Sequence, residues 1–162
     1  MRQVGRGPTL RRVSPMERRL AAALAAAWEA EVTAAQRMAS LAERLLAPSV
    51  RSRLLVQSAF CRAHACRLLA RLSTHGRGPL PVPTSEEAPR AVLVEALVEE
   101  ARLAKDAATR YRAAADLARK QGDLSSAWVC ELNGTEEADR ATQLLAMARE
   151  VEQAEHQDSF AV

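Results

Sequence analysis

The sequence predicts an all-α four-helix bundle with one long crossover between its second and third helices. Three observations carry this reading. Of the 162 residues, 48% are hydrophobic but only 3% aromatic, and runs such as Leu20 to Ala27 are mostly alanine, which suits helices packed through small and aliphatic side chains. Proline, glycine and capping residues divide the chain into four long segments in which apolar residues recur every three to four positions. The connections between those segments run short, long, short.

The first helix is expected from about Pro15 to Leu46, stopping before Ala47-Pro48-Ser49. Ser49 is placed to cap the second, which continues to about Ser73 and ends at His75-Gly76-Arg77-Gly78. The connection Pro79-Leu80-Pro81-Val82-Pro83 follows, after which Thr84 or Ser85 can cap a third helix reaching about Lys120. The fourth starts after Gly122 with Asp123 as its cap and fades near Gln153. Short connections force antiparallel neighbours, whereas about 12 extended residues reach on the order of 40 Å, the length of a helix of about 25 residues. Helices two and three can therefore run parallel.

This divides the chain into a basic leader, 1–14, expected to be disordered; a bundle, 15–153; and a flexible C-terminal tail, 154–162. The net charge of +3 is unevenly placed. Arg2, Arg6, Arg11, Arg12, Arg18 and Arg19 crowd the first nineteen residues against Glu17 alone. A solvated leader is the first reading of that segment, ahead of contact with nucleic acid or anionic lipid. No apolar stretch is long enough for a membrane-spanning helix, and a cytoplasmic location is expected. Cys61 and Cys66 point about 140° apart on one predicted helix and should not pair. With Cys130 they make an odd count, suited to a reducing compartment.

Function enters through polar interruptions on the inner faces. The stripe of helix one is Leu20, Leu24, Ala27, Glu31, Ala34, Met38, Leu41 and Leu45; that of helix three is Leu93, Leu97, Glu100, Ala104, Ala107, Tyr111, Ala114 and Ala118. Each is broken by one glutamate. Helix two carries Leu54, Cys61 and Leu68, with His64 one turn beyond Cys61; helix four carries Cys130, Gly134, Glu137, Ala141 and Leu144, with Arg140 one turn beyond Glu137. Buried carboxylates are costly and repel one another unless something neutralises them. Three glutamates against Arg140 leave a charge of −2, which one divalent metal cancels with His64 and Cys61 neutral. Neighbouring registers, Glu136 with Asp139 or Glu99 in place of Glu100, would build a somewhat different set. Trp28 and Trp128 read as packing, Tyr111 as a possible redox neighbour of a metal, and His75 and His156 as solvated residues. No phosphate loop, nucleophile elbow or zinc-finger spacing is present.

From about Pro15 to Val151 the chain resembles the ferritin-like superfamily, which includes bacterioferritin and rubrerythrin. There, one glutamate from each of two helices and a Glu-x-x-His pair from each of the others bind two irons. The likeness lies in the helix order, the crossover, the four motif positions and the stretch Thr135-Glu136-Glu137-Ala138-Asp139-Arg140. It implies metal ligands at Glu31, His64, Glu100 and Glu137. Two positions depart: Cys61 stands for the second-helix glutamate and Arg140 for the fourth-helix histidine. Arginine stays protonated and donates no lone pair to a metal, which argues against a two-iron oxidase.

What survives is a mononuclear site on Glu31, His64 and Glu137, with Glu100 either paired to Arg140 or added as a fourth ligand. Iron, manganese or zinc suits such donors, and participation by Cys61 shifts the preference toward zinc or copper. The resemblance implies, for an active site of this kind, an iron oxidoreductase using oxygen or peroxide. The alternative is a metal-free degenerate bundle serving as an interaction or assembly module. A homodimer or higher homo-oligomer is expected in either case.

Overall fold

A computed structural model describes residues 14–45, 47–77, 80–84 and 92–160. Four helices follow in order: α1 (Pro15–Glu43), α2 (Pro48–Thr74), α3 (Leu93–Lys120) and α4 (Leu124–Phe160). The leader 1–13 lies outside the described residues.

The ends of the helices show which local signals dominated. Ser14 caps α1 through a reciprocal pair: its Oγ accepts from the Glu17 amide at 3.0 Å, and its own amide donates to Glu17 Oε2 at 2.6 Å. For α2 the expected Ser49 cap is wrong. Pro48, with fixed φ and no N–H to satisfy, occupies the first helical position, so Ala47 becomes the cap residue and Ser49 lies inside the helix. Asp123 does cap α4, Oδ1 accepting from the Ser126 amide at 3.0 Å. Gly76 and Gly122, at φ 71° and 74°, supply the left-handed turns that end α2 and α3. The third helix begins at Leu93, past Pro89, with Val92 at its cap and no side-chain hydrogen bond there. Thr84 is not helical, and Ser85 lies outside the described residues. α4 continues to Phe160, through residues read from sequence as the start of a tail.

Cross-helix pairs fix the topology. Arg53 with Glu150, Gln57 with Gln143, and Arg71 with Asp123 run α2 antiparallel to α4. Arg37 with Glu100, Tyr111 with Glu31, and Gln121 with the Met16 carbonyl run α1 antiparallel to α3. With the short α1–α2 and α3–α4 connections, α2 and α3 are parallel, as the long crossover requires. Its described part lies along α1, where Gln36 Nε2 donates to the Pro83 carbonyl at 3.3 Å. α3 with α4 and α1 with α2 are the close pairs; the two pairs meet more sparsely.

The core is split. One apolar cluster gathers Leu20, Leu24, Trp28, Leu68, Leu72 and Tyr111; the other gathers Met38, Leu41, Leu54, Leu97, Leu144 and Met147. Each buried leucine contributes on the order of 2 kcal/mol. Between the clusters lies a small group, Ala34, Ala35 and Cys61, beside a layer of buried polar side chains. Trp28 packs as expected. Trp128 does not: it is 62% exposed, because it sits one position off the buried Ala127 on the outer side of α4. Among the described residues, no helix is long and apolar enough to cross a membrane.

Candidate metal centre

The polar layer takes one inward side chain or more from each helix. Glu31 comes from α1, Cys61 and His64 from α2, Tyr111 from α3, and Asn133, Glu137 and Arg140 from α4, all buried. The i, i+3 spacings of Cys61 with His64 and of Glu137 with Arg140 put each pair on one face of its helix. Ligand atoms of Glu31, Cys61 and Glu137 lie within 4.8 Å of one another. His64 closes the group: its Nδ1 is 3.2 Å from Glu137 Oε1 and 3.3 Å from Glu31 Oε1.

Arg140 occupies the far side. Its Nη2 donates to Glu137 Oε2 at 2.5 Å and its Nη1 to Cys61 Sγ at 3.0 Å. Burial disfavours the charge, but the neighbouring Cys61, Glu137 and Glu31 more than offset this and keep the guanidinium protonated. Cys61 is pushed the other way. Burial raises its thiol well above the ordinary range, the Arg140 charge opposes this, and Glu31 and Glu137 add to the rise.

His64 is governed by competing influences of similar kind. Burial alone lowers its pKa; the carboxylates of Glu137 and Glu31 overcome this and raise it to about 9. Its other nitrogen, Nε2, lies 2.8 Å from Glu136 Oε2. Glu136 is in turn held by Arg67 Nη1 at 2.5 Å, and the same Arg67 atom donates to Asn133 Oδ1 at 2.8 Å. Asn133 donates to the Tyr111 hydroxyl at 3.2 Å, and Tyr111 donates to Glu31 Oε1 at 2.7 Å. These bonds form a ring that leaves His64 on one side and returns to Glu31 on the other. Tyr111 is kept a phenol, its pKa raised by burial and by the Glu31 charge.

Of the residues expected from sequence, the structure brings Glu31, Cys61, His64, Glu137 and Arg140 together. Glu100 is placed elsewhere. It is buried, but Arg37 grips it bidentately, through Nε to Oε1 and through Nη2 to Oε2 at 3.1 Å. The expected pairing of Glu100 with Arg140 is therefore replaced by a pair with Arg37. Register explains the difference. Arg37 lies six residues, about 9 Å, along α1 from Glu31, and Glu100 lies eleven residues, about 16 Å, along α3 from Tyr111, the residue that meets Glu31. Arg67, Asn133 and Glu136 were not foreseen as one network. Their signal was Asn133 at i−3 and i−4 from Glu136 and Glu137, on the same side of α4. His75, read as solvated, is paired with Asp123 at 3.0 Å.

The donor set fits a cation. Glu31 Oε2, Glu137 Oε1 and His64 Nδ1 are buried without a hydrogen-bond partner, although Nδ1 and Glu137 Oε1 face each other at 3.2 Å as an ion pair when the imidazole is protonated. Buried polar atoms of this kind are rare in folded proteins and call for a ligand, ion or water. Two carboxylates, an imidazole and an adjacent thiol are a set that iron, manganese or zinc accepts.

Four antiparallel neighbours, one crossover and a polar layer at mid-bundle define an all-α ferritin-like four-helix bundle. The chain is similar to a solved protein of Xanthomonas campestris pv. campestris, with a TM-score of 0.78 and 19% identity over 90% of this chain and 99% of that one. It is also similar to the open pore ferritin of the hyperthermophilic archaeon Archaeoglobus fulgidus, with a TM-score of 0.67 and 16% identity over 83% of this chain and 85% of that one. At these identities the likeness establishes the fold. No protein-family model matches the chain, and no curated protein sequence does.

Proposed function

We propose that the protein is a ferritin-like metal-binding protein that holds one divalent ion per chain on Glu31, His64 and Glu137, with Cys61 adjoining. The observation that supports this most is the approach of ligand atoms of Glu31, Cys61 and Glu137 to within 4.8 Å of one another, with His64 Nδ1 3.2 Å from Glu137 Oε1 and 3.3 Å from Glu31 Oε1. With Glu100 neutralised by Arg37, the centre holds two carboxylates against Arg140. A proton on His64 balances it; so does a divalent ion with His64 neutral and Cys61 as thiolate. Binding should therefore release protons, and affinity should rise with pH.

Iron in such a site supplies redox chemistry toward oxygen or peroxide, and zinc supplies Lewis acidity. The chain's own residues define what the site can hold. Tyr111 and Asn133 orient Glu31, Glu136 orients His64, and Arg140 blocks a second metal position with its fixed charge. The two-metal arrangement is thereby excluded in this reading. A cytoplasmic location and a homodimer or higher homo-oligomer belong to the same proposal. Leu55, Val56 and Phe60, exposed apolar residues on the outer side of α2, support self-association.

Elemental analysis after loading with iron, manganese or zinc tests the metal. About one ion per chain is expected, lost in Glu31→Ala and His64→Ala. Unchanged metal content in both variants removes the reading. No metal at all in a folded protein means that the His64 imidazolium and Arg140 already balance the two carboxylates, as in the metal-free interaction module.

A further inference from the structure

Small side chains line the seam between α1 and α3. Ala23, Ala26, Ala27 and Ala30 of α1 face Ala107 and Ala114 of α3. Alanine pairs hold two helices together without filling the space beside them, and here they leave an open groove of about 710 Å³. A recess of about 320 Å³ adjoins it and shares Ala26, Ala30, Glu31, Ala107 and Arg110. The volume is that of a small-molecule site.

The rim is basic. Arg19, Arg110 and Lys120 line the groove, and among the described residues none of them makes an ion pair or hydrogen bond. Asp116, also on the rim, is engaged with Arg119 at 3.2 Å. The recess adds Glu29 and two arginines that have partners, Arg37 with Glu100 and Arg140 with Glu137. Arg140 is 4% exposed, lines the recess, and its Nε has no hydrogen-bond partner. An apolar trough with unpaired cations at its edge and a buried, partly unsatisfied guanidinium at its inner end is complementary to an anionic head on an aliphatic tail.

We propose that the α1–α3 groove binds a linear aliphatic carboxylate. The carboxylate meets Arg110 and the free N–H of Arg140, and the chain lies over the alanines toward Leu117 and Met16. The free cations of the rim raise the local concentration of the anion and exclude cationic amphiphiles of the same shape. The site does not depend on a metal. It shares Glu31 and Arg140 with the metal centre but needs no ion there, so a failure of the metal reading leaves the groove proposal standing.

Three probes with one tail test it on the full chain: decanoate, decanol and decyltrimethylammonium, titrated calorimetrically below their aggregation concentrations. Decanoate should bind at one saturable site, about tenfold or more tighter than either control. Ala26→Trp, which fills the groove from an exposed position, should weaken decanoate about tenfold, and Arg110→Glu should do the same while sparing decanol. Both variants alter surface positions and should keep wild-type helicity and metal content. Equal affinity for decanoate and decyltrimethylammonium overturns the proposal, because the groove is then merely apolar. So does the absence of saturable binding, or decanoate affinity untouched by Ala26→Trp in a folded protein.

Discussion

Replacing Arg140 by methionine isolates the charge that separates this centre from a neutral core. Arg140 and Glu137 are both buried, with Nη2 and Oε2 2.5 Å apart. Methionine keeps much of the aliphatic stem, so the main loss is the positive charge. Glu137 is then left with His64 alone, and the metal-free centre carries an uncompensated negative charge. Breaking a buried pair in this way costs about 3–5 kcal/mol, a large part of a total stability of about 5–15 kcal/mol. For a chain of this length the midpoint of thermal unfolding should fall on the order of 10 °C. The double substitution Glu137→Leu with Arg140→Met removes both charges and leaves Glu31 balanced by the His64 imidazolium. It should recover at least about 2 kcal/mol of the loss, since an apolar pair of similar volume can replace a buried ion pair at little cost. Urea unfolding followed by far-ultraviolet circular dichroism at pH 7 with chelator present measures all three proteins. A loss below about 1 kcal/mol in Arg140→Met, or a double variant no more stable than that single one, would refute the charge balance drawn here.

Other expectations concern the same layer. The His64 pKa is raised from 6.5 to about 9 in the folded protein, so the stabilisation it confers on metal-free protein is complete below pH 6.5 and lost as pH rises through 9. The loss should reach about 3 kcal/mol across that window and be absent in His64→Gln, as denaturation at a series of pH values would show. Glu100→Ala should leave the metal content per chain unchanged, because Arg37 holds Glu100 away from the centre; metal lost in that variant would return Glu100 to the ligand set. Gly134→Ala should destabilise by about 1 kcal/mol by denaturant unfolding, despite the better helix propensity of alanine. The added Cβ would lie 3.1 Å from Tyr111 Cβ, and Tyr111 is pinned by Glu31 and Asn133.

Much of the fold was legible because its determinants are local or periodic. The stripes through Leu20, Leu24, Met38 and Leu41, and through Leu97, Ala104, Tyr111 and Ala118, are buried as the 3.6-residue period requires. Loop lengths were enough to make α2 and α3 parallel. The start of α2 was misjudged because two local signals compete over adjacent residues, and the fixed backbone of Pro48 outweighs the capping hydroxyl of Ser49. In the site, the positions with i, i+3 partners on the same helix came out together, since helix geometry alone aligns them. Glu100 was misplaced for a different reason: inwardness can be read from one helix, but axial register between two cannot. Its fate depends on Arg37, which is 63 residues away and meets it only through the α1–α3 alignment. The ring through Arg67, Asn133 and Glu136 was invisible on the same grounds.

The buried charges are not explained by stability. Two carboxylates balanced by two cations must be stripped of water, and an apolar layer of the same volume would hold the bundle together at least as well. The clusters on either side show that this chain can build such layers, from Leu20 and Leu68 at one end and from Leu54 and Leu144 at the other. A polar layer set between them is thus a local departure from an otherwise consistent pattern, and departures of that kind concentrate at functional positions. Its construction is also uneven. On the Glu31 and His64 side, the ring fixes the carboxylate and the imidazole while leaving Glu31 Oε2 and His64 Nδ1 without a hydrogen bond. On the opposite side Arg140 satisfies Glu137 Oε2 and faces Cys61. A centre serving only to be neutral has no need of open donors on one face. One serving two metals has no place for a fixed cation on the other. A single cation position, oriented by the ring and limited by Arg140, is what this asymmetry supports.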